Sequence, residues 1–288
     1  LHMFVVTLRC EHSCPYCQVS RQTEDKSLFD MDEGTASKAI DFALQGPSRR
    51  MKFEFQGGEP LLNFKLIKYV VYESKKRNIN YGKDLSFIIA TNLAVITDEI
   101  LDFCKKEGVG ISTSLDGPRD IHNANRPRPG KNSYELTVEG IKKARVKVGF
   151  NNVNALMTTT DKSLDHVEEI IDEYVKLGFN GIFLRPLSPY GFAVKTKKYN
   201  LYDSKKWFEF YLRGLNYIIE LNKSGVKFQE FYSSLILKKI FTFSDPGYID
   251  LRSPAGIGIG GIVYNYDGKV FASDEGRMLA EMGDRTLK

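Results

Sequence analysis

Phe4-Val-Val-Thr-Leu-Arg-Cys-Glu-His-Ser-Cys-Pro-Tyr-Cys-Gln18 is the stretch on which the reading of this chain turns. Its first five residues are apolar or β-branched and read as a strand. The strand runs into Cys10, Cys14 and Cys17, a C-x3-C-x2-C run. Three clustered cysteines and a distant Cys104 do not pair neatly into disulfides. Three thiolates on one loop suit three irons of a [4Fe–4S] cube and leave the fourth iron open for chemistry. Zinc is the rival, because His12 lies inside the run and completes a set of three cysteines and one histidine. Structural zinc sites space two short ligand pairs about a dozen residues apart, so the compact run favours iron–sulfur.

The next informative stretch is Lys52-Phe-Glu-Phe-Gln-Gly-Gly-Glu-Pro60, a strand that ends in Gln56, Gly57, Gly58 and Glu59. Two glycines let a ligand approach the backbone closely. Their carbonyls and the Glu59 carboxylate can accept hydrogen bonds from an ammonium. Beyond it the chain alternates. Strands are expected at 4–8, 52–55, 85–90, 110–115, 149–158 and 181–186, and helices at about 32–44, 63–77, 97–106, 133–146 and 163–177. Thr97 and Ser163 are candidate N-caps, and Gly46, Gly108 and Gly178 candidate stops. Repeated strand–helix units imply a parallel sheet with right-handed crossovers. Six of them make a partial (β/α)6 TIM barrel of the α/β class, open on one side. Such a barrel carries its chemistry on the loops after the strands. There the sequence places Thr91-Asn92, Ser112-Thr-Ser-Leu-Asp-Gly-Pro118 with His122 and Arg126 behind it, Asn154, and Leu184-Arg185-Pro186.

The cysteine run and the Gly-Gly-Glu one strand later resemble the radical S-adenosylmethionine (SAM) superfamily. The Ser-x-Asp-Gly-Pro run with Arg126 resembles its peptide-modifying branch, and Leu8–Arg21 is most similar to the radical SAM maturases of the His-Xaa-Ser peptide system. The resemblance implies a [4Fe–4S] cluster on Cys10, Cys14 and Cys17. It implies SAM held by Gln56, Gly57, Gly58 and Glu59 at its amine, and by Ser114 and Arg126 at ribose and carboxylate. Asn92, Asp116 and Asn154 join that set, Tyr16 lies near the adenine, and Leu184 packs on the adenine face. Arg185 and Tyr190 are expected to line the substrate space. The implied activity is reductive SAM cleavage to a 5′-deoxyadenosyl radical that abstracts hydrogen from a ribosomally made precursor peptide, with flavodoxin or ferredoxin as electron donor. Thr91-Asn92-Leu93 departs from the Thr-Asn-Gly often found in the family. No catalytic acid or base is identified. Two other readings stand beside this one: a zinc-stabilised peptide- or RNA-binding module, and a radical SAM enzyme acting on a small molecule or nucleic acid.

With 288 residues and 42% apolar content the chain suits a large domain, 1–200, and an extension, 201–288. The net charge of +5 is spread over solvated faces such as Lys75-Lys-Arg77 and Lys195-Thr-Lys-Lys198, without the dense basic run of a nucleic-acid binder. No apolar stretch is long enough to span a membrane. An oxygen-sensitive cluster and free thiols point to a reducing cytoplasm. Cys104, beside Ile100 and Leu101, reads as a buried structural residue. In the extension, amphipathic helices are expected at 203–223 and about 229–241, with their aromatics in the core. A β-hairpin turning at Asp267-Gly268 follows. Gly256-Ile-Gly-Ile-Gly-Gly261 lacks the Gly-Lys-Ser/Thr of a phosphate loop. The hairpin resembles the opening of a SPASM extension, but Ser253, Pro254 and Ser273 stand where that extension has cluster-binding cysteines, so no auxiliary cluster is expected here. Both ends read as trimmed from a longer protein.

Overall fold

The structure, a computed structural model, describes residues 1–22, 25–199, 202–244, 256–284 and 286. The expected domain boundary at 200/201, and Ser253 and Pro254, lie outside them. In chain order the first half runs β1 (His2–Thr7), α1 (Lys26–Phe29), α2 (Glu33–Leu44), β2 (Arg50–Gly57), α3 (Phe64–Asn78), β3 (Asp84–Thr91), α4 (Asp98–Glu107), β4 (Val109–Ser114), α5 (Arg119–Asn125), α6 (Ser133–Val148) and β5 (Val153–Leu156). The five strands pair in parallel in the order β5-β4-β3-β2-β1.

Side-chain alternation explains why the lumen, rather than the outer face, is available for chemistry. On β2, Met51, Phe53 and Phe55 are buried under the helices, whereas Lys52, Glu54 and Gln56 are only partly covered. On β4, Val109, Ile111 and Thr113 point out, and Gly110, Ser112 and Ser114 point in. The outer faces pack with Ile40 and Leu44 of α2, Ile67 of α3 and the buried thiol of Cys104 on α4 into one core. Its centre is aromatic: Phe53 meets Phe4 at 5.3 Å and Phe87 edge-on at 5.6 Å.

Local signals placed most helix ends. Thr97 caps α4 by accepting from Ile100 N, and Gly108 stops it at φ 68°. Ser163 does not cap a helix. Its hydroxyl accepts from Thr160 N inside a turn, and α7 (Val167–Lys176) starts four residues later. Gly46 lies one residue past the α2 cap, Gln45. The fifth strand is shorter than expected, because 150–152 form a 3-10 turn.

The second half departs more. The expected sixth strand shrinks to β6 (Gly181–Ile182), which pairs not with β5 but with β7 (Gln229–Glu230) in a separate small sheet. A Cβ on Gly181 would lie 2.5 Å from the Gln229 carbonyl, so glycine permits the pairing. One hydrogen bond, Thr159 N to Arg185 O at 3.3 Å, still ties this segment to the end of β5. Next come α8 (Phe192–Lys195), α9 (Ser204–Lys223), β7, α10 (Phe231–Phe241), β8 (Ile262–Tyr264), β9 (Val270–Phe271) and α11 (Asp274–Glu281). Helix α9 buries Phe210, Tyr211, Gly214 and Ile218. Helix α10 fully buries none of its residues: Tyr232 packs on the core at 5.5 Å from Phe183, but Phe241 is exposed, which corrects the expectation of core aromatics at that end. The hairpin forms where expected, with Gly268 at φ 84°. It is not a separate lobe: β8 pairs in parallel with β1 and extends the barrel sheet to seven strands. No helix among the described residues is long and apolar enough to cross a membrane.

Candidate active site

The site begins where β1 and β2 end side by side. Gly58 N donates to Thr7 O at 2.9 Å, and Glu59 N donates to Arg9 O at 2.7 Å. A Cβ on Gly57 would lie 2.4 Å from Thr7 O, and one on Gly58 2.2 Å from Arg9 O. The chain itself therefore demands both glycines, a reason absent from the sequence reading. Arg9 in turn is clamped by Asp30, at 2.8 Å from both Nε and Nη2, and by Leu62 O. The cysteine loop leaves from this anchored strand end.

Cys10, Cys14 and Cys17 line one cavity of about 270 Å³ in the mouth of the barrel. Of the residues expected to bind the second cofactor, Tyr16, Gln56, Gly57, Gly58, Asn92, Ser114 and Arg126 line it too, as does Arg185. Sequence reasoning missed several other members, among them His12 and the Leu156–Thr158 stretch after β5. His12 was weighed only as a zinc ligand, and nothing local marks Leu156 or Met157.

Four expected contacts lie elsewhere. Glu59 is fully buried, and its carboxylate accepts from Thr91 Oγ1 at 2.7 Å, Asn92 N at 2.8 Å and Leu61 N at 3.0 Å. It staples the β3 loop to β2 instead of facing the cavity. Asp116 is also fully buried and stands behind Arg126, not in front of it. It accepts from Arg126 Nε at 3.0 Å and Nη2 at 3.2 Å, from Thr158 N, and from the Tyr16 hydroxyl in a short bond. The Arg126 guanidinium lies 5.4 Å from the centre of the Tyr16 ring. Asn154 is exposed on the lumen face, in register with Ser112 and one step below Leu156. Leu184 is fully buried against α9, where a Cβ on Gly214 would come within 2.9 Å of it. Neighbouring side chains of an extended segment face opposite ways, so Arg185 takes the lumen and Leu184 the core. Tyr190 is half-buried and outside the cavity lining.

Leu93, where a glycine was looked for, adopts φ 63° with its side chain buried. The left-handed turn is kept without glycine, at a strain cost of roughly 1 kcal/mol. Gly140 on α6 makes room, since a Cβ there would lie 2.7 Å from that of Leu93.

The electrostatics separate buried Glu59 from its partly buried neighbour Glu11. Burial raises the Glu59 carboxyl to about 8, and the nearby Glu11 charge adds to this. Burial also works against ionisation of Glu11, but hydrogen bonds from His12 and Asn92 outweigh it and hold Glu11 below its ordinary range. Burial pushes the Cys14 thiol up to about 12 in spite of Arg126, and raises Cys10 further. Burial thus disfavours the free thiolates, and metal binding, which needs the deprotonated form, would release these protons.

The donor set fits an iron–sulfur cluster better than zinc. Cys10, Glu11 and His12 each bring a donor atom within 4.8 Å of one another. Yet both His12 ring nitrogens are already engaged, Nε2 with Ser133 Oγ at 2.7 Å and Nδ1 with Glu11 Oε1 at 3.2 Å. Three soft sulfur donors on one loop, with a hard carboxylate oxygen of Glu11 rather than a fourth thiol or a free imidazole beside them, suit a cube with one open iron.

Comparison with known proteins agrees. Residues 4–174 match the Radical SAM superfamily. The chain is 32% identical over 186 residues to an uncharacterized protein of Methanocaldococcus jannaschii, covering 64% of this chain and 61% of that protein. It is 26% identical over 226 residues to a cysteine-type anaerobic sulfatase-maturating enzyme of Clostridium perfringens, covering 71% and 59%. The aligned part thus spans about three fifths of these relatives' length. Among solved structures, native anSMEcpe with bound AdoMet superposes with a TM-score of 0.73 at 19% identity, covering 95% of this chain and 74% of that one. Streptococcus suis SuiB bound to its precursor peptide SuiA gives 0.63 at 12% identity, covering 99% and 60%. At these identities the likeness is one of fold.

Proposed function

Because this chain belongs to the radical SAM superfamily, whose cofactors are a [4Fe–4S] cluster and SAM, we propose that it abstracts hydrogen from a ribosomally made peptide during that peptide's maturation. The observation that carries the reading is the convergence, in one open cavity, of three thiols, the Gly57-Gly58 backbone and the Arg126 guanidinium. Cys10, Cys14 and Cys17 hold the cluster. The carbonyls of Gly57 and Gly58 receive the SAM amine, and Arg126 with Ser114 receives carboxylate and ribose. When bound, the pair of cofactors supplies one-electron cleavage of a sulfonium and so a carbon radical that takes hydrogen from an unactivated carbon.

The rest of the work falls to the chain. Asp116 and Tyr16 hold the guanidinium of Arg126 in place before any ligand arrives, which lowers the ordering cost of binding. Glu59 fixes the Asn92 loop. The lumen below presents the polar side chains of Gln56, Ser112 and Asn154, which can hydrogen-bond an extended peptide backbone. The peptide class is supported by the sulfatase-maturating relative and by the SuiB fold neighbour with its precursor peptide. A small one-electron donor of the flavodoxin or ferredoxin kind and a cytoplasmic setting complete the proposal.

Anaerobic reconstitution should load about four irons per chain, and the reduced protein with SAM should release 5′-deoxyadenosine. The peptide encoded beside the gene should speed that release and lose hydrogen mass, because abstraction requires the target carbon at near-contact distance. Retention of a full cluster by the C10A/C14A/C17A variant would sink the ligand assignment. Stimulation by a nucleoside or sugar but by no peptide would overturn the substrate class alone.

A further inference from the structure

Behind the cavity wall, Ser133 at the start of α6 joins two buried histidines from distant parts of the chain. Its Oγ lies 2.7 Å from His12 Nε2 and 3.1 Å from His122 Nε2. One hydroxyl carries one proton, so it accepts from one ring and donates to the other. The backbone sets the direction. Asp116 N donates to His122 Nδ1 at 3.3 Å, so His122 carries its proton on Nε2 and donates to Ser133. Ser133 then donates to His12 Nε2, and His12 Nδ1–H points to Glu11 Oε1 at 3.2 Å. Asn92 Nδ2 gives one of its two hydrogens to Glu11 Oε1 at 2.9 Å and lies 3.0 Å from the same His12 ring nitrogen, tying the β3 loop to this end of the network. The result is a continuous chain of hydrogen bonds from Asp116 N through His122, Ser133 and His12 to Glu11.

The two ends of this chain are the two halves of the site. His12 lies between Cys10 and Cys14, and Cys10 Sγ accepts from His12 N at 3.4 Å. Asp116 holds Arg126 by two hydrogen bonds. Resting on the reading that the cysteines hold the cluster and Arg126 holds the SAM carboxylate, we propose that Ser133 is a positioning residue. Through His12 and His122 it sets the cysteine loop in register with the Arg126 wall, so that SAM meets both at once. Ser133 itself touches neither cofactor. Burial of His122, which pushes its imidazole down to about 3, keeps it in the neutral form this geometry needs.

The test is Ser133→Ala, with Ser133→Thr restoring the hydroxyl. In the protein without cofactors, hydrogen exchange of the amides at 11–14 should quicken about ten-fold in Ser133→Ala and return toward wild type in Ser133→Thr. In the reconstituted protein, iron content should stay at the wild-type level while SAM affinity falls about ten-fold, equivalent to about 1.4 kcal/mol. The change that SAM causes in the electron paramagnetic resonance spectrum of the reduced cluster should broaden or shrink. If Ser133→Ala does not fold, His122→Asn, which breaks the chain one link away, carries the same measurements. Wild-type exchange, affinity and spectrum in the folded variant overturn the proposal. So does loss of iron at unchanged exchange, which would make Ser133 a cluster-retention residue. A wild-type protein that takes up no cluster or no SAM would instead refute the proposed function, while the exchange experiment would still stand.

Discussion

Arg126→Ala separates what this arginine does for the fold from what it does for a ligand. Asp116 is fully buried and accepts two hydrogen bonds from the guanidinium, so truncating Arg126 leaves a buried carboxylate without its counter-charge. Breaking such a pair typically costs about 3–5 kcal/mol. Here the Tyr16 hydroxyl and Thr158 N remain on the carboxylate, which places the expected loss near the lower end, about 3 kcal/mol. In the double variant Asp116→Asn/Arg126→Ala the charge is gone; the amide oxygen can take the place of Oδ1 and accept from Thr158 N, while the NH2 in the place of Oδ2 donates to the Tyr16 hydroxyl. At least about 1 kcal/mol should therefore return relative to Arg126→Ala alone. Urea unfolding of the protein without cofactors measures both. SAM affinity in the reconstituted protein should drop by roughly 1–3 kcal/mol in both variants, because the carboxylate partner is missing in each. A loss of stability below about 1 kcal/mol in the single variant, or strictly additive losses in the double, would refute the buried-pair argument. Recovery of SAM affinity in the double variant would show that Arg126 serves the ligand only through the fold.

Two other outcomes follow from the same geometry. Gly58→Ala puts a methyl group 2.2 Å from Arg9 O, so the strand ends must part; iron uptake should fall sharply and stability by about 1–3 kcal/mol, and normal iron uptake would show that the cysteine loop does not depend on this contact. His122, with its imidazole pushed down to about 3 by burial, resists the proton that the unfolded chain accepts near 6.5. Its contribution is complete above about pH 6.5 and is lost as the pH falls toward 3, at up to about 1.4 kcal/mol per unit. The stability difference between wild type and His122→Asn in urea should therefore shrink between pH 7 and pH 5; a constant difference would mean the ring is not held neutral.

Much of this protein is legible along the chain because the signals are local. A cysteine run needs only the spacing of its thiols, and Gly57-Gly58 declares a close approach by having no side chains. The alternation on β2 and β4 sorts lumen from core without any knowledge of the partner strand. Thr97 and Gly108 cap α4 by bonds to residues within a turn of themselves. What only the tertiary structure decided depends on atoms far apart in sequence. The direction in which Glu59 and Asp116 turn is set by donors on other loops, Thr91 and Asn92 for one, Tyr16, Arg126 and Thr158 for the other. Leu184 and Arg185 exchange their expected importance because α9 closes over one face of that segment and leaves the other to the cavity. Leu93 holds a glycine's backbone angle because Gly140, on another helix, gives its side chain somewhere to go. The pairing of β8 with β1 rather than within a separate lobe likewise belongs to the assembled sheet. A sequence states which chemical groups are present and how closely they follow one another; which way a buried charge or an alternating side chain faces is decided by the partners that folding brings to it.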